Sequence, residues 1–150
     1  MRYVKFALLN IVVFGTLITG ISLLFPSVIH TSKTINVASA PANIVTKVNS
    51  IHTWKDWNSF SKLGSVPDLT FTNNADAVST SWEFKEGRNM QCEILVYHAT
   101  GDSTPVSFVV TEKLKWYPWE KFRAMVSDKA VGNAIETSLD KLKKQLELTK

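Results

Sequence analysis

Twenty consecutive residues from Phe6 to Phe25 carry no charge, and after Pro26 this block gives way to segments with short apolar periods. At 1.5 Å rise per residue the uncharged block forms a helix about 30 Å long, the thickness of a bilayer's hydrocarbon core. Asn10 and the Thr and Ser residues within it can return hydrogen bonds to their own helix. Further on, Ile35 and Val37 alternate with polar neighbours from Lys33 to Ala38, which predicts a half-buried strand. Pro41 suits a first helical position, and Ile44, Val45 and Val48 follow at helical spacing, predicting a short helix over about 41–49. Trp54, Trp57 and Phe60 then recur every three residues, as along one apolar edge of a second short helix or turn.

Between Leu69 and Trp116 the period becomes two, the mark of an antiparallel sheet. A short run covers Leu69 to Thr72. Val78, Thr80, Trp82 and Phe84 share a face in the next, and Met90, Cys92, Ile94 and Val96 in the third. The last carries Val106, Phe108, Val110, Leu114 and Trp116 on one side. Turn residues at Glu86–Asn89 and Gly101–Pro105 make the last three runs a meander. From Pro118 the helical period returns, with Val131, Ile135, Leu139, Leu142 and Leu146 along one stripe and Lys, Asp and Glu opposite. Gly132 interrupts that stripe, so the regular helix is expected to begin near it or to bend there.

Composition sharpens the picture in three places. With 45% hydrophobic and 20% charged residues in 150, the chain must bury a core, and its length allows one domain plus an appendage. One cysteine excludes an internal disulfide and a multi-thiolate zinc site. Setting aside Arg2 and Lys5, fifteen basic residues face thirteen acidic ones, a scattered balance that gives no basis for nucleic-acid binding. Arg2 and Lys5 precede the apolar block and no basic residue follows before Lys33, so the positive-inside rule puts the N-terminus in the cytoplasm. Residues 27–150 then lie on the outer, periplasmic side of a bacterial-type inner membrane. A cleaved signal peptide is the rival, with Ala38-Ser39-Ala40 as its site. That site lies thirteen residues past the end of an apolar run too long for a signal peptide, and cutting there would remove a strand. Gly15 and Thr19, and Thr16 and Gly20, form small-xxx-small pairs that can support helix pairing.

The order strand, two short helices with a Trp-rich turn, antiparallel meander and long C-terminal helix resembles the helix-grip fold of the START-like (SRPBCC) superfamily. Lys33-Thr-Ile-Asn-Val-Ala-Ser-Ala-Pro-Ala42 is similar to the family's opening strand and step into the first helix. Trp54-Lys-Asp-Trp57-Asn looks like its Trp-rich segment. Tyr117-Pro-Trp-Glu-Lys-Phe122 and Asp128 to Lys143 resemble the entry into the last helix of membrane-anchored members labelled polyketide cyclases. The chain departs from the pattern between Leu69 and Trp116, where about 48 residues leave one hairpin missing or shrunken. The resemblance implies an α+β fold: residues 1–26 as a transmembrane anchor and 27–150 as a domain whose curved antiparallel sheet is crossed by two short helices and the long one. It further implies a hydrophobic small molecule or lipid as ligand; the apolar run gives membrane contact through residues 6–25, and no residue pattern calls for a cofactor or metal.

In such a fold a bent sheet and one helix leave apolar space between them. Its lining is expected from Trp82, Phe84, Ile94, Val96, Phe108, Val110 and Leu114, with Val131, Ile135 and Leu139 as the lid; the competing expectation is a solid core of the same residues. Glu112 is the candidate acid, since it shares its alternation with Val106, Phe108, Val110, Leu114 and Trp116. Facing an apolar interior it would have a raised pKa and could protonate or orient a ligand; a bulge would turn it to solvent instead. If the hairpin turns around 101–104, Glu112 lies opposite Cys92 or Ile94, roughly 13 to 20 Å from His98, too far for direct proton transfer. Cys92 falls on the apolar face as an inert core residue. Trp54, Trp57, Trp116 and Trp119 pack at the ends of the sheet, or an exposed pair forms a membrane-interface belt. Three readings follow: a carrier without chemistry of its own, a cyclase-type enzyme using Glu112, and a ligand-free interaction domain with an exposed apolar patch.

Overall fold

The computed structural model of the chain describes residues 2–62, 69–74, 76–84 and 89–148. The uncharged block forms helix α1, Arg2–Leu23. Its polar side chains bond back to their own helix: Asn10 Nδ2 donates to Phe6 O (2.9 Å), Thr16 Oγ1 to Val12 O (2.8 Å) and Thr19 Oγ1 to Gly15 O (2.8 Å). Tyr3–Leu23 is long and apolar enough to cross a membrane. The helix ends two residues before the uncharged block does, because Leu24 and Phe25 close a tighter turn onto Ile21 O and Ser22 O.

Five strands follow in the spatial order β1-β5-β4-β3-β2, every neighbouring pair antiparallel. They are β1 Val28–Val37, β2 Thr70–Asn73, β3 Ala77–Phe84, β4 Met90–Tyr97 and β5 Thr104–Lys113. Strand β1 starts five residues earlier than its alternation predicts, since it pairs with β5 along its whole length from Val28↔Lys113 to Val37↔Thr104. As an edge strand its outer residues need no apolar pattern. Gly101 takes φ of 65° in the β4–β5 turn, a conformation open to glycine without a Cβ penalty. The turn at Glu86–Asn89 lies outside the described residues, apart from Asn89. Strand β5 stops three residues short of the expected Trp116, which is exposed.

Short helices α2, Pro41–Asn49, and α3, Trp54–Trp57, with 3-10 turns at Ile51–Thr53 and Ser59–Lys62, lead into the sheet. Trp54 Nε1 donates to Val48 O (2.7 Å) and Thr80 Oγ1 to Asn49 Oδ1 (2.8 Å), fixing this unit to itself and to β3. The long helix α4 runs unbroken from Pro118 to Glu147, through Gly132. A Cβ at Gly132 would meet only Thr31 Cγ2, at an ordinary 3.9 Å, so neither a start nor a bend is needed there. The stripe Val131, Ile135, Leu139, Leu142 and Leu146 is buried. Across the sheet face, Thr31 Oγ1 donates to Asp128 (2.6 Å) and Ser59 N–H to Ser138 Oγ (3.0 Å), so α4 is held from both β1 and the Trp-rich segment. Buried residues of the sheet and of α2, α3 and α4 form one contiguous cluster.

Candidate functional site between sheet and C-terminal helix

The alternation of β3, β4 and β5 turns Trp82, Ile94, Val96, Phe108 and Val110 toward Val131, Ile135 and Leu139 on α4, and all eight belong to the core cluster. None of them is more than 9% exposed, and Ile94, Phe108, Ile135 and Leu139 have no accessible surface at all. A void large enough for water would leave area on its lining, so among the described residues side chains fill this space. Aromatic rings interlock with the aliphatic side chains here. Trp82 stands 4.5 Å from Trp54 and 5.6 Å from Phe108, and Phe108 lies 5.6 Å from Phe60, in tilted or edge contacts. Leu114 is buried but stands outside this cluster, where its N–H donates to Ser27 O (2.8 Å) ahead of β1. Phe84 pairs with Met90 through its backbone, and its side chain lies outside the described residues.

Polar groups in and beside the cluster are few, and not all of them are matched. Among the described residues Trp57 Nε1, Trp82 Nε1 and Asn58 Nδ2 are buried donors without an acceptor, while Asn58 Oδ1 accepts the Phe60 N–H at 2.9 Å. Trp57 and Trp82 both pack on Trp54, so the orphan donors belong to one aromatic assembly. Each unmet buried donor costs about 1–3 kcal/mol. The spacing of the Trp-rich segment predicted its apolar edge. It did not reveal that two indole N–H groups lack partners, which depends on nonlocal packing.

Glu112 is buried at 7% exposure, with its strand paired regularly to both neighbours, so no bulge turns it to solvent. The register places it opposite Met90, and not opposite Cys92 or Ile94. Eight residues along β4 then separate it from His98, roughly 26 Å at strand rise. Its carboxylate meets Arg123 Nη2 at 3.4 Å, and Arg123 also reaches Glu120 at 2.9 Å. Cys92 is fully buried, and desolvation pushes its thiol from 9.0 up to about 12, which keeps it protonated and unreactive. His30 Nδ1 contacts Thr111 Oγ1 (3.0 Å) on the exposed edge. Among the described residues no group of three His, Cys, Asp or Glu side chains could hold a metal ion.

Of the four tryptophans expected at the sheet ends, Trp54 and Trp57 are interior, whereas Trp116 and Trp119 are each 67% exposed. These two stand beside α1. Together with Tyr117, Pro118 and Phe122 they wall a groove of about 440 Å³ whose other side is Gly15, Ile18 and Thr19. The junction is fastened by Lys121, only 4% exposed, whose Nζ donates to Ser22 O (2.9 Å) and Phe25 O (2.8 Å). A cation at a helix C-terminus satisfies carbonyls that have no partner within the helix.

This architecture is that of a START superfamily protein from Mycobacterium smegmatis, which is 15% identical and superposes with a TM-score of 0.60 over 81% of this chain and 99% of that one. The XoxI protein from Bacillus cereus (12% identity, TM-score 0.53, 78% and 94% covered) and a protein of unknown function from Staphylococcus aureus (11%, 0.53, 81% and 96%) are similar in the same way. No family model matches the chain, and no curated protein matches it significantly. The fold is the START-like helix grip: a curved five-stranded antiparallel sheet with a long C-terminal helix across it.

Proposed function

We propose that residues 27–150 bind a hydrophobic small molecule or lipid between the sheet and α4, without chemistry of their own, while residues 1–26 anchor them to the outer face of an inner membrane. The observation that carries this reading is the apolar interior with three unmatched N–H donors. An apolar enclosure with a few oriented polar groups is the usual character of a small-molecule site. Here the donors call for an acceptor, so the ligand is a greasy molecule bearing a carbonyl or carboxylate. Because side chains close the space, binding displaces aromatic rings, and Trp82, Phe108 and the α4 residues Val131, Ile135 and Leu139 then line the ligand. Ile94, Val96 and Val110 complete the floor. The fold supports this, since START-like domains are generally small-molecule binders. An enzymatic role for Glu112 fits less well, because its carboxylate is held in an ion pair with Arg123 at the end of β5.

The test is native mass spectrometry of the full chain released from detergent micelles, after purification from cells without added ligand, followed by organic extraction. A stoichiometric apolar adduct is expected, and it should persist in Glu112→Gln. A clean apo mass together with no uptake of a fluorescent fatty acid overturns the carrier. An adduct lost only in Glu112→Gln turns the reading toward catalysis.

A further inference from the structure

The first two turns of α4 break the rule that the rest of the helix keeps. Beyond Ser127 its exposed positions are mostly Lys, Asp, Glu and small polar residues, as suits a face in water. Before it, Trp119, Phe122, Met125 and Val126 are all exposed, Val126 at 82%. At 100° per residue these four fall within one arc of about 120°. Trp116 extends the patch into the preceding loop. Of the exposed large apolar residues outside α1, five lie in this one stretch. Scattered apolar residues on a surface need no explanation, but a contiguous group marks a contact.

What it contacts follows from where it stands. The patch is continuous with α1: Phe122 packs on Phe25 with ring centroids 6.3 Å apart, and Lys121 caps the end of α1. Trp116 and Trp119 line the groove alongside Gly15, Ile18 and Thr19, and so stand beside the body of the helix. Thr19 and Gly15 are three and seven residues before Ser22, roughly 4 to 10 Å deeper along the axis. That is the depth at which amphipathic elements sit in the headgroup and acyl boundary, and where Trp and Tyr concentrate in membrane proteins. Lys113 and Lys115 beside the patch are exposed, placing cations where lipid phosphates lie. The small face of Gly15 and Thr19, which can support helix pairing, faces the chain's own aromatic loop.

We infer that Trp116 to Val126 is a membrane-docking element that inserts into the outer leaflet beside α1 and holds the START-like domain against the lipid surface. This rests on the proposal that α1 spans the bilayer.

The full chain, reconstituted in phosphatidylcholine vesicles with a minor anionic component, tests it by tryptophan quenching with lipids brominated high on the acyl chain. Trp54, Trp57 and Trp82 are buried, so quenching reports Trp116 and Trp119. The expected loss of emission approaches the share of two tryptophans in five. In W116F/W119F, which touches no core side chain, most of that loss disappears. Quenching that persists in the double variant overturns the docking. A parallel alkaline carbonate wash separates the two ideas. A chain that resists the wash and shows no quenching refutes docking and leaves the anchor standing, whereas a chain that is washed off unquenched refutes both.

Discussion

Phe108→Ala is the perturbation that most directly tests how the interior is filled. Phe108 has no accessible surface and contacts Trp82 and Phe60, each at 5.6 Å between centroids. Truncating a fully buried phenylalanine costs about 3–5 kcal/mol, from lost transfer energy plus the cavity left behind. The two aromatic contacts put this site toward the upper end of that range. Against a total stability of roughly 5–15 kcal/mol the variant stays folded but weakened. At about 4 °C per kcal/mol, the melting temperature falls by roughly 12–20 °C. Thermal unfolding of the full chain in mild detergent, followed by near-ultraviolet circular dichroism, reads the domain's tryptophans without interference from α1. The new void should also take a small aromatic such as benzene, which at 100 times its Kd restores about 2.7 kcal/mol to the variant and nothing to the wild type. A cost below about 1 kcal/mol would refute the packing, because it means that the neighbours do not grip the ring.

Two further outcomes follow from single residues. Gly132→Ala should stabilise the chain by about 0.5–1 kcal/mol, since α4 is regular there and the added Cβ meets Thr31 at 3.9 Å; an unchanged or lower melting temperature contradicts this. Cys92 ionises near 9.0 when unfolded and only at about 12 when folded, so its share of stability is intact below pH 9 and is lost as pH rises from 9 to 12. Denaturation midpoints of Cys92→Ala should therefore fall less steeply across that window than those of the wild type.

The elements legible in the sequence were those set by local pattern. Helix α2 is found at the expected 41–49 because Pro41 and the spacing of Ile44 and Val48 are local signals. Strands β3 and β4 likewise follow from strict alternation. Register is harder. A turn centre moved by one residue moves every partner by two, which is why Glu112 sits opposite Met90 and not the expected Cys92 or Ile94. The continuity of α4 through Gly132 overrides a local cost of about 1 kcal/mol, because the residues on either side bury a stripe on the sheet. Trp82, Ile94, Val96, Phe108 and Val110 share one buried cluster with Val131, Ile135 and Leu139, while Leu114 stands outside it, and whether such a set encloses a cavity depends on side-chain volumes summed over several elements, which no period encodes.

The junction of α1 and α4 shows the same limit from the other direction. Lys121 sits among charged and aromatic neighbours in sequence, with no local signal of burial. In the fold it is buried, because its ammonium group finds two carbonyls, Ser22 O and Phe25 O, at the C-terminal end of α1. A buried cation is tolerated only where such acceptors surround it. It follows that α1 and α4 specify each other's position: without the carbonyls of Ser22 and Phe25, Lys121 would swing out and the aromatic residues on either side of it would lose their fixed place along α1. That coupling makes α1 part of the domain's structure, so the domain is best tested as the full chain.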